Sequence, residues 1–234
     1  MVKQWKPATS LSGPQKSKCT VLVVGKRNRG KSTLMVDIAR HIACPKAIVL
    51  SATDKCSHFY EQFFPKSFIY DRYDEDILKK IISVQKDLVK QDSRMSKSGM
   101  LLIVDDTGYD KKFLKTQAFA EILMNGRWYN ISVVVGIQDA ASMPLNLRAQ
   151  MDYVCCLAES FRNGQERLYN WFFGIYPSFK MFRDAFVEIT KDYGALVLDN
   201  VSTDVSDISK TVFWYTANPR LRFRYGSRDY QSSR

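Results

Sequence analysis

Histidine and cysteine are scarce in this 234-residue chain, at two and five residues. The cysteines, Cys19, Cys44, Cys56, Cys155 and Cys156, are odd in number and include no C-x-x-C pair. That pattern speaks against a secreted disulfide framework and for small buried thiols in a reducing compartment. Cys56 and His58 lie two positions apart, but no second ligand pair follows at zinc-site spacing, so no structural metal is expected. Long apolar runs are missing too. No stretch approaches the roughly 18 residues that a membrane span needs. The opening Met1-Val2-Lys3-Gln4-Trp5-Lys6-Pro7 has no apolar signal-peptide core, so the chain reads as intracellular and not secreted. No internal repeat is visible.

Acidic residues are also the minority. Thirty-five Lys and Arg stand against 24 Asp and Glu, a net charge of +11. Such a balance favours a polyanionic partner, nucleic acid or an anionic surface. With 45% hydrophobic and 13% aromatic residues, the length suffices for one domain with a substantial core.

Gly25 to Ser32 reads Gly-Lys-Arg-Asn-Arg-Gly-Lys-Ser, a complete G-x-x-x-x-G-K-[ST] phosphate-binding loop. It follows the apolar run Val21–Val24 and opens into a helical pattern from Lys31 to Ile42. A buried strand, a glycine-containing turn and a helix N-terminus are what the motif needs to cradle phosphates. Gly25 and Gly30 let backbone N–H groups turn inward, and Lys26, Arg27, Asn28 and Arg29 between them complete the loop. Lys31 is placed for the β- and γ-phosphates, Ser32 for Mg²⁺, and Thr33 continues the first helical turn. The expected ligand is a nucleoside triphosphate.

Further apolar runs at Thr20–Val24, Ala47–Leu50, Phe68–Tyr70, Met100–Val104, Ile131–Gly136 and Tyr153–Leu157 alternate with helical patterns at Asp74–Lys90 and Phe113–Asn125. Near-continuous apolar strands of this kind imply a mainly parallel sheet covered on both faces. The expected fold is an α/β P-loop NTPase with a mainly parallel central sheet flanked by helices, plus a small C-terminal extension of a helical hairpin and strands at Ala195–Leu198 and Val212–Tyr215. Residues 1–18, rich in Lys, Ser, Pro and Gly, are expected to be a flexible basic arm. The ATPase domain then covers 19–216, and 217–234 is a basic, arginine-rich tail.

Ligands in such sheets sit at the carboxyl ends of the strands, and three polar signals fall there. The first is the phosphate loop. The second is Leu101-Leu102-Ile103-Val104-Asp105-Asp106, where Asp105 is a candidate Mg²⁺ carboxylate and Asp106 the candidate base that orients the attacking water. The bland alternative is a turn, since Asp106-Thr107-Gly108 is good turn chemistry. The third is Gln138, ending Ile131–Ile137, a γ-phosphate sensor or simply a helix cap. Arg127, in Asn125-Gly126-Arg127-Trp128-Tyr129, sits where Gly126 can end a helix. It is buried by Trp128, simply solvated as most surface arginines are, or an arginine finger acting on a neighbouring subunit, with Arg148 as competitor for that role.

Taken in order, these pieces resemble the genome-packaging ATPases of the nucleocytoplasmic large DNA viruses, within the FtsK–HerA superfamily. The resemblance rests on Gly25–Thr33, Leu102–Asp106, Asn125–Ile131 and Gln138, with Leu147–Val154 and the aromatic stretch Tyr169–Phe186 alongside. Trp128 departs from it, since members often carry histidine there. The resemblance implies ATP and Mg²⁺ at Lys31 and Ser32, metal and water at Asp105 and Asp106, and Gln138 as sensor. It carries an inter-subunit arginine onto Arg127. It further implies a homo-oligomeric ring of five or six subunits that translocates double-stranded DNA into a preformed capsid, with capsid or portal partners, at viral assembly sites in the host cytoplasm or associated with the virion. The basic N-terminal segment, the arginine-rich tail and Lys111, Lys112 and Lys115 are candidate DNA grips.

Two other readings stand beside it. A nucleoside-monophosphate kinase fits the size, and Asp71-Arg72-Tyr73 echoes thymidylate kinases, but no arginine-rich lid follows. A basic DNA-binding virion protein could instead hold nucleotide as a switch without turnover. A GTPase is disfavoured because no Asn-Lys-x-Asp string occurs.

Overall fold

The computed structural model describes residues 2–11, 18–106, 112–204 and 207–233. Within them one sheet runs through the molecule, built from β1 (Lys3–Gln4), β2 (Thr20–Val24), β3 (Lys46–Ser51), β4 (Ile69–Tyr70), β5 (Met100–Asp105), β6 (Ile131–Ile137), β7 (Tyr153–Leu157), β8 (Gly194–Asp199) and β9 (Val212–Thr216). Its order is β1-β9-β8-β7-β2-β6-β5-β3-β4. The six strands from β7 to β4 are parallel, and β8 alone runs antiparallel to both its neighbours. Strands β2, β5, β6 and β7 are buried at every position, as apolar runs covered on both faces must be.

The helices are α1 (Pro7–Ser10), α2 (Lys31–Ala39), α3 (Asp54–Ser57), α4 (Glu75–Gln91), α5 (Met95–Ser98), α6 (Gln117–Asn125), α7 (Leu145–Arg148), α8 (Arg162–Trp171), α9 (Phe179–Ile189), α10 (Ile208–Thr211) and α11 (Arg228–Ser232). One face of the sheet packs against α4, α6, α8 and α9. The other packs against α2 and both ends of the chain. Helix α4 shows how sequence sets this layer. Asp74 caps it by accepting from the Asp76 N–H, and Leu78, Ile81, Ile82 and Gln85 are buried at the spacing of one helical face. Each buried aliphatic side chain there contributes about 1.5–3 kcal/mol. No helix among the described residues is long and apolar enough to cross a membrane.

Three expectations about the chain need correcting. The first residues are not a free arm. Lys3 and Gln4 pair with Phe213 and Trp214, Leu11 is buried, and Trp5 is buried between Tyr153 and Tyr215 at ring distances of 5.4 and 5.6 Å. Two large apolar side chains outweigh the polar composition around them. Likewise the C-terminal segment is no detached tail. Tyr225 and Tyr230 are buried, and their hydroxyls donate to the carbonyls of Ile42 and Ala47. The alternation of arginine with apolar residues puts one set inward and the other in solvent. Finally, Phe113–Lys115 is a separate short turn, because Thr116 caps α6 by accepting from the Phe119 N–H.

Candidate active site

Strand β2 delivers the chain to the phosphate loop, where the Gly25 N–H bonds the Ile137 carbonyl at 2.9 Å. The loop then turns through left-handed conformations at Asn28 (φ 61°) and Gly30 (φ 83°), which asparagine and glycine tolerate best. Helix α2 begins at Lys31 with no side chain capping its first turn. Its leading N–H groups are therefore left for an external acceptor, and with the helix dipole they favour an anion.

Beside this end of the loop lies Asp105, the last residue of β5, almost fully buried. Its Oδ1 is 2.7 Å from Lys31 Nζ. Its Oδ2 accepts from Ser32 Oγ at 2.6 Å and from Tyr60 OH at 2.8 Å. Tyr73 OH donates to the Asp105 carbonyl and accepts from the Ala52 N–H, fixing the strand end as well as the side chain. Burial, and then the Asp105 carboxylate, pushes the Tyr60 phenol well above its ordinary pKa, so it stays protonated and keeps donating.

Asp106 follows in a left-handed conformation (φ 58°), which turns its side chain away from the strand direction. Gln138, at the end of β6, donates its Nε2–H to Asp106 Oδ1 at 2.6 Å. Neighbouring parallel strands thus bring the two together. Gly136 keeps the space behind them open. A Cβ there would lie 2.4 Å from Met35 Sδ and 2.7 Å from Asp105 Oδ1.

A cleft of about 340 Å³ is lined by Lys31, Ser32, Asp105, Asp106 and Gln138 together with Lys26, Arg27, Asn28, Gly30 and Thr33. Two loop residues do not line it. Gly25 is tied to Ile137, and Arg29 points to Ser160 Oγ at 3.3 Å. Lys26 is also shared outward, 2.7 Å from Glu159 Oε1 and 4.1 Å above the Phe161 ring. Hard oxygen donors from Ser32 and Asp105 converge within one hydrogen bond, the chemistry that Mg²⁺ takes. An uncapped helix start and a lysine suit a triphosphate.

Arg127 lies elsewhere. It precedes β6, so it sits at the opposite end of the sheet, a strand length of roughly 20 Å from the phosphate loop. Its Nη2 donates to Asp152 Oδ1 at 3.2 Å, and Trp128 beside it is 73% exposed. Gly126 does not terminate α6 in the left-handed way. It is right-handed, and Asn130 (φ 54°) makes the turn into β6. Arg148, on α7 between β6 and β7, is stacked 3.7 Å over the Trp171 ring with Nε donating to the Met143 carbonyl. Lys111 and the Thr107-Gly108 turn fall outside the described residues.

Sequence reasoning missed Tyr60, Gly136 and Glu159. Tyr60 is embedded in the aromatic run from Phe59 to Phe64, which carries no signal distinguishing a core ring from a carboxylate partner. Tyr73 was noticed only within the Asp-Arg-Tyr string, and here its hydroxyl serves the Asp105 main chain instead.

Phosphate loop, strand-end carboxylates and a glutamine-ended strand on a parallel sheet define a P-loop NTPase. The family described as Poxvirus A32 protein matches residues 13–170, and the chain belongs to that family. A protein of Acanthamoeba polyphaga mimivirus is 32% identical over 222 residues, covering 91% of this chain and 77% of the relative. One of Invertebrate iridescent virus 6 is 31% identical over 198 residues, with coverages of 83% and 76%. The resemblance read from the motifs therefore holds at the level of family. Among solved structures, the genome packaging NTPase B204 from Sulfolobus turreted icosahedral virus 2, in complex with ATP-gammaS, shares the fold with a TM-score of 0.59 at 18% identity, over 88% of this chain and 99% of that one. The pCW3 conjugation coupling protein TcpA shares it with a TM-score of 0.60 at 12% identity, over 86% and 60%.

Proposed function

We propose that this chain is an ATP-hydrolysing motor that moves double-stranded DNA into a viral capsid. The observation that carries the reading is the joining of Lys31, Ser32 and Tyr60 on the buried Asp105 carboxylate, one residue from the Asp106–Gln138 pair. It is supported by the shared fold of a Sulfolobus virus genome packaging NTPase seen with an ATP analogue.

In this mechanism the first turn of α2 and Lys31 hold the β- and γ-phosphates. Ser32 and Asp105 would hold Mg²⁺, which would supply charge neutralisation at the phosphate oxygens. Asp106 orients the attacking water and accepts its proton. Gln138 fixes the Asp106 carboxylate through its amide and reports γ-phosphate loss along β6. Arg127, too far to serve its own nucleotide, reaches the neighbour's in a ring of five or six subunits and stabilises transition-state charge there. Arg148 is the weaker candidate, because its guanidinium is already committed to Trp171 and Met143.

DNA must be gripped without reading bases, through phosphate contacts. Arg220 and Arg222 with Arg40 and His41 line an open hollow of about 480 Å³, and Lys112 and Lys115 follow the active-site strand. Capsid or portal proteins are the remaining partners, and assembly sites in the host cytoplasm the place of action.

The deciding experiment is steady-state ATP hydrolysis with and without long double-stranded DNA, beside Lys31→Ala. Stimulation by DNA that vanishes in the variant supports the motor. A rate indifferent to DNA returns the nucleotide switch to the front, and phosphoryl transfer to a nucleoside monophosphate instead of water returns the kinase.

A further inference from the structure

The triphosphate site leaves open what holds the rest of the nucleotide. Asp105, Asp106 and Gln138 stand on β5 and β6, to one side of the phosphate loop in the sheet. The γ-phosphate and metal belong on that side, so the nucleoside must leave on the other, toward β7 and β8. Tyr193, the residue before β8, is there. A Cβ placed on Gly30 would come within 3.2 Å of Tyr193 Cδ1, so the ring lies against the last glycine of the loop. Yet Tyr193 is 66% exposed.

An exposed tyrosine is ordinarily mobile, and the backbone of this one is constrained. Asp192 and Tyr193 both adopt left-handed conformations, with φ 47° and 63°, a strained pair that persists only where surroundings over-determine it. Those surroundings are visible. Thr190 Oγ1 donates to the Phe186 carbonyl at 2.7 Å, ending α9. Gly194 then passes so close that a Cβ would lie 2.0 Å from the Ile189 carbonyl oxygen. The turn between α9 and β8 thus constrains the Tyr193 backbone so that its ring rests against Gly30, a residue lining the phosphate cleft, with most of its surface in solvent. Among the described residues Tyr193 belongs to neither hydrophobic core.

We infer that Tyr193 is the stacking platform for the nucleobase of the bound nucleoside triphosphate. The inference rests on the phosphate-loop reading above and adds its nucleoside end. Stacking is tolerant of base identity and scales with ring area, so purine triphosphates bind more tightly than pyrimidine ones, with little difference between ATP and GTP.

The test is calorimetric titration of the full chain with a non-hydrolysable ATP analogue and, separately, with inorganic tripolyphosphate, which has no base. Tyr193→Ala should weaken the ATP analogue roughly ten-fold and leave tripolyphosphate unchanged, whereas Tyr193→Phe should match the parent on both. Equal weakening of both ligands would mean that Tyr193 merely supports Gly30, and no weakening of either would mean that the base sits elsewhere. Both results overturn the inference. Failure of the parent chain to bind tripolyphosphate or nucleotide is a separate outcome. It would remove the phosphate site itself, and the platform with it.

Discussion

Lys31 Nζ lies 2.7 Å from Asp105 Oδ1, with 9% and 2% of the two side chains exposed. The residue that grips phosphate and the one that holds metal are therefore one buried ion pair. Removing one partner of such a pair leaves an uncompensated charge, at roughly 3 kcal/mol. Lys31→Ala should accordingly abolish hydrolysis and also lower the urea-unfolding free energy by about that much. Lys31→Ala with Asp105→Asn should recover part of the stability and none of the activity. Additive losses in this double-mutant cycle would show that the pair is not coupled.

Tyr60→Phe deletes one donor to Asp105 Oδ2 while keeping the ring in its aromatic cluster. The loss of a hydrogen bond to a charged group is worth about 1.5–3 kcal/mol. Turnover should fall at least ten-fold, and the Mg²⁺ concentration for half-maximal rate should shift. An unchanged metal dependence would separate Tyr60 from the metal carboxylate.

Gly136→Ala drives a methyl group into Met35 Sδ and Asp105 Oδ1 from a strand paired on both sides. Neither the backbone nor the carboxylate has room to yield, so overpacking should cost about 1–3 kcal/mol. Hydrolysis should drop more than stability does, because the displaced group is Asp105. Thermal melts and rate measurements on the same variant check both halves.

Arg127→Ala should lower turnover at least about 1,000-fold, the lower end of what an arginine finger supplies, without changing nucleotide affinity of the isolated chain. Mixing Arg127→Ala with Lys31→Ala subunits should restore some activity, because one interface in such a mixed ring regains both an intact loop and an intact arginine. Mixtures no more active than their components would point to a structural role for the Asp152 ion pair.

Burial raises the pKa of the thiols of Cys19, Cys44, Cys155 and Cys156, that of Cys44 to about 11, and of the phenols of Tyr60, Tyr225 and Tyr230. A raised folded pKa gives stability that is fully present below the unfolded pKa and is lost as pH rises toward the folded one. Unfolded thiols titrate near 8.5 and phenols near 10. The unfolding midpoint should therefore be flat in this respect near pH 7, decline above about pH 8.5, and steepen past about pH 10. Urea titrations from pH 7 to 10.5 test it, and a midpoint that rises over that range would contradict it.

What the sequence determined by itself was local. The phosphate loop, the strand ending in Asp105 and Asp106, the glutamine after Ile137 and the strand–helix alternation are all short-range patterns, in which neighbours along the chain specify one another's conformation. Tertiary structure decided which distant residues meet. Tyr60 reaches Asp105 across 45 positions, Tyr215 reaches Asp37 across 178, and Tyr225 reaches the Ile42 carbonyl across 183. Trp5 and Tyr230 turn two segments of polar composition into core. Whether an aromatic residue fills a core, orients a carboxylate or faces solvent beside Gly30 depends on what the sheet brings next to it. Periodicity and composition carry no record of that, because strand order, and not chain order, sets the contacts.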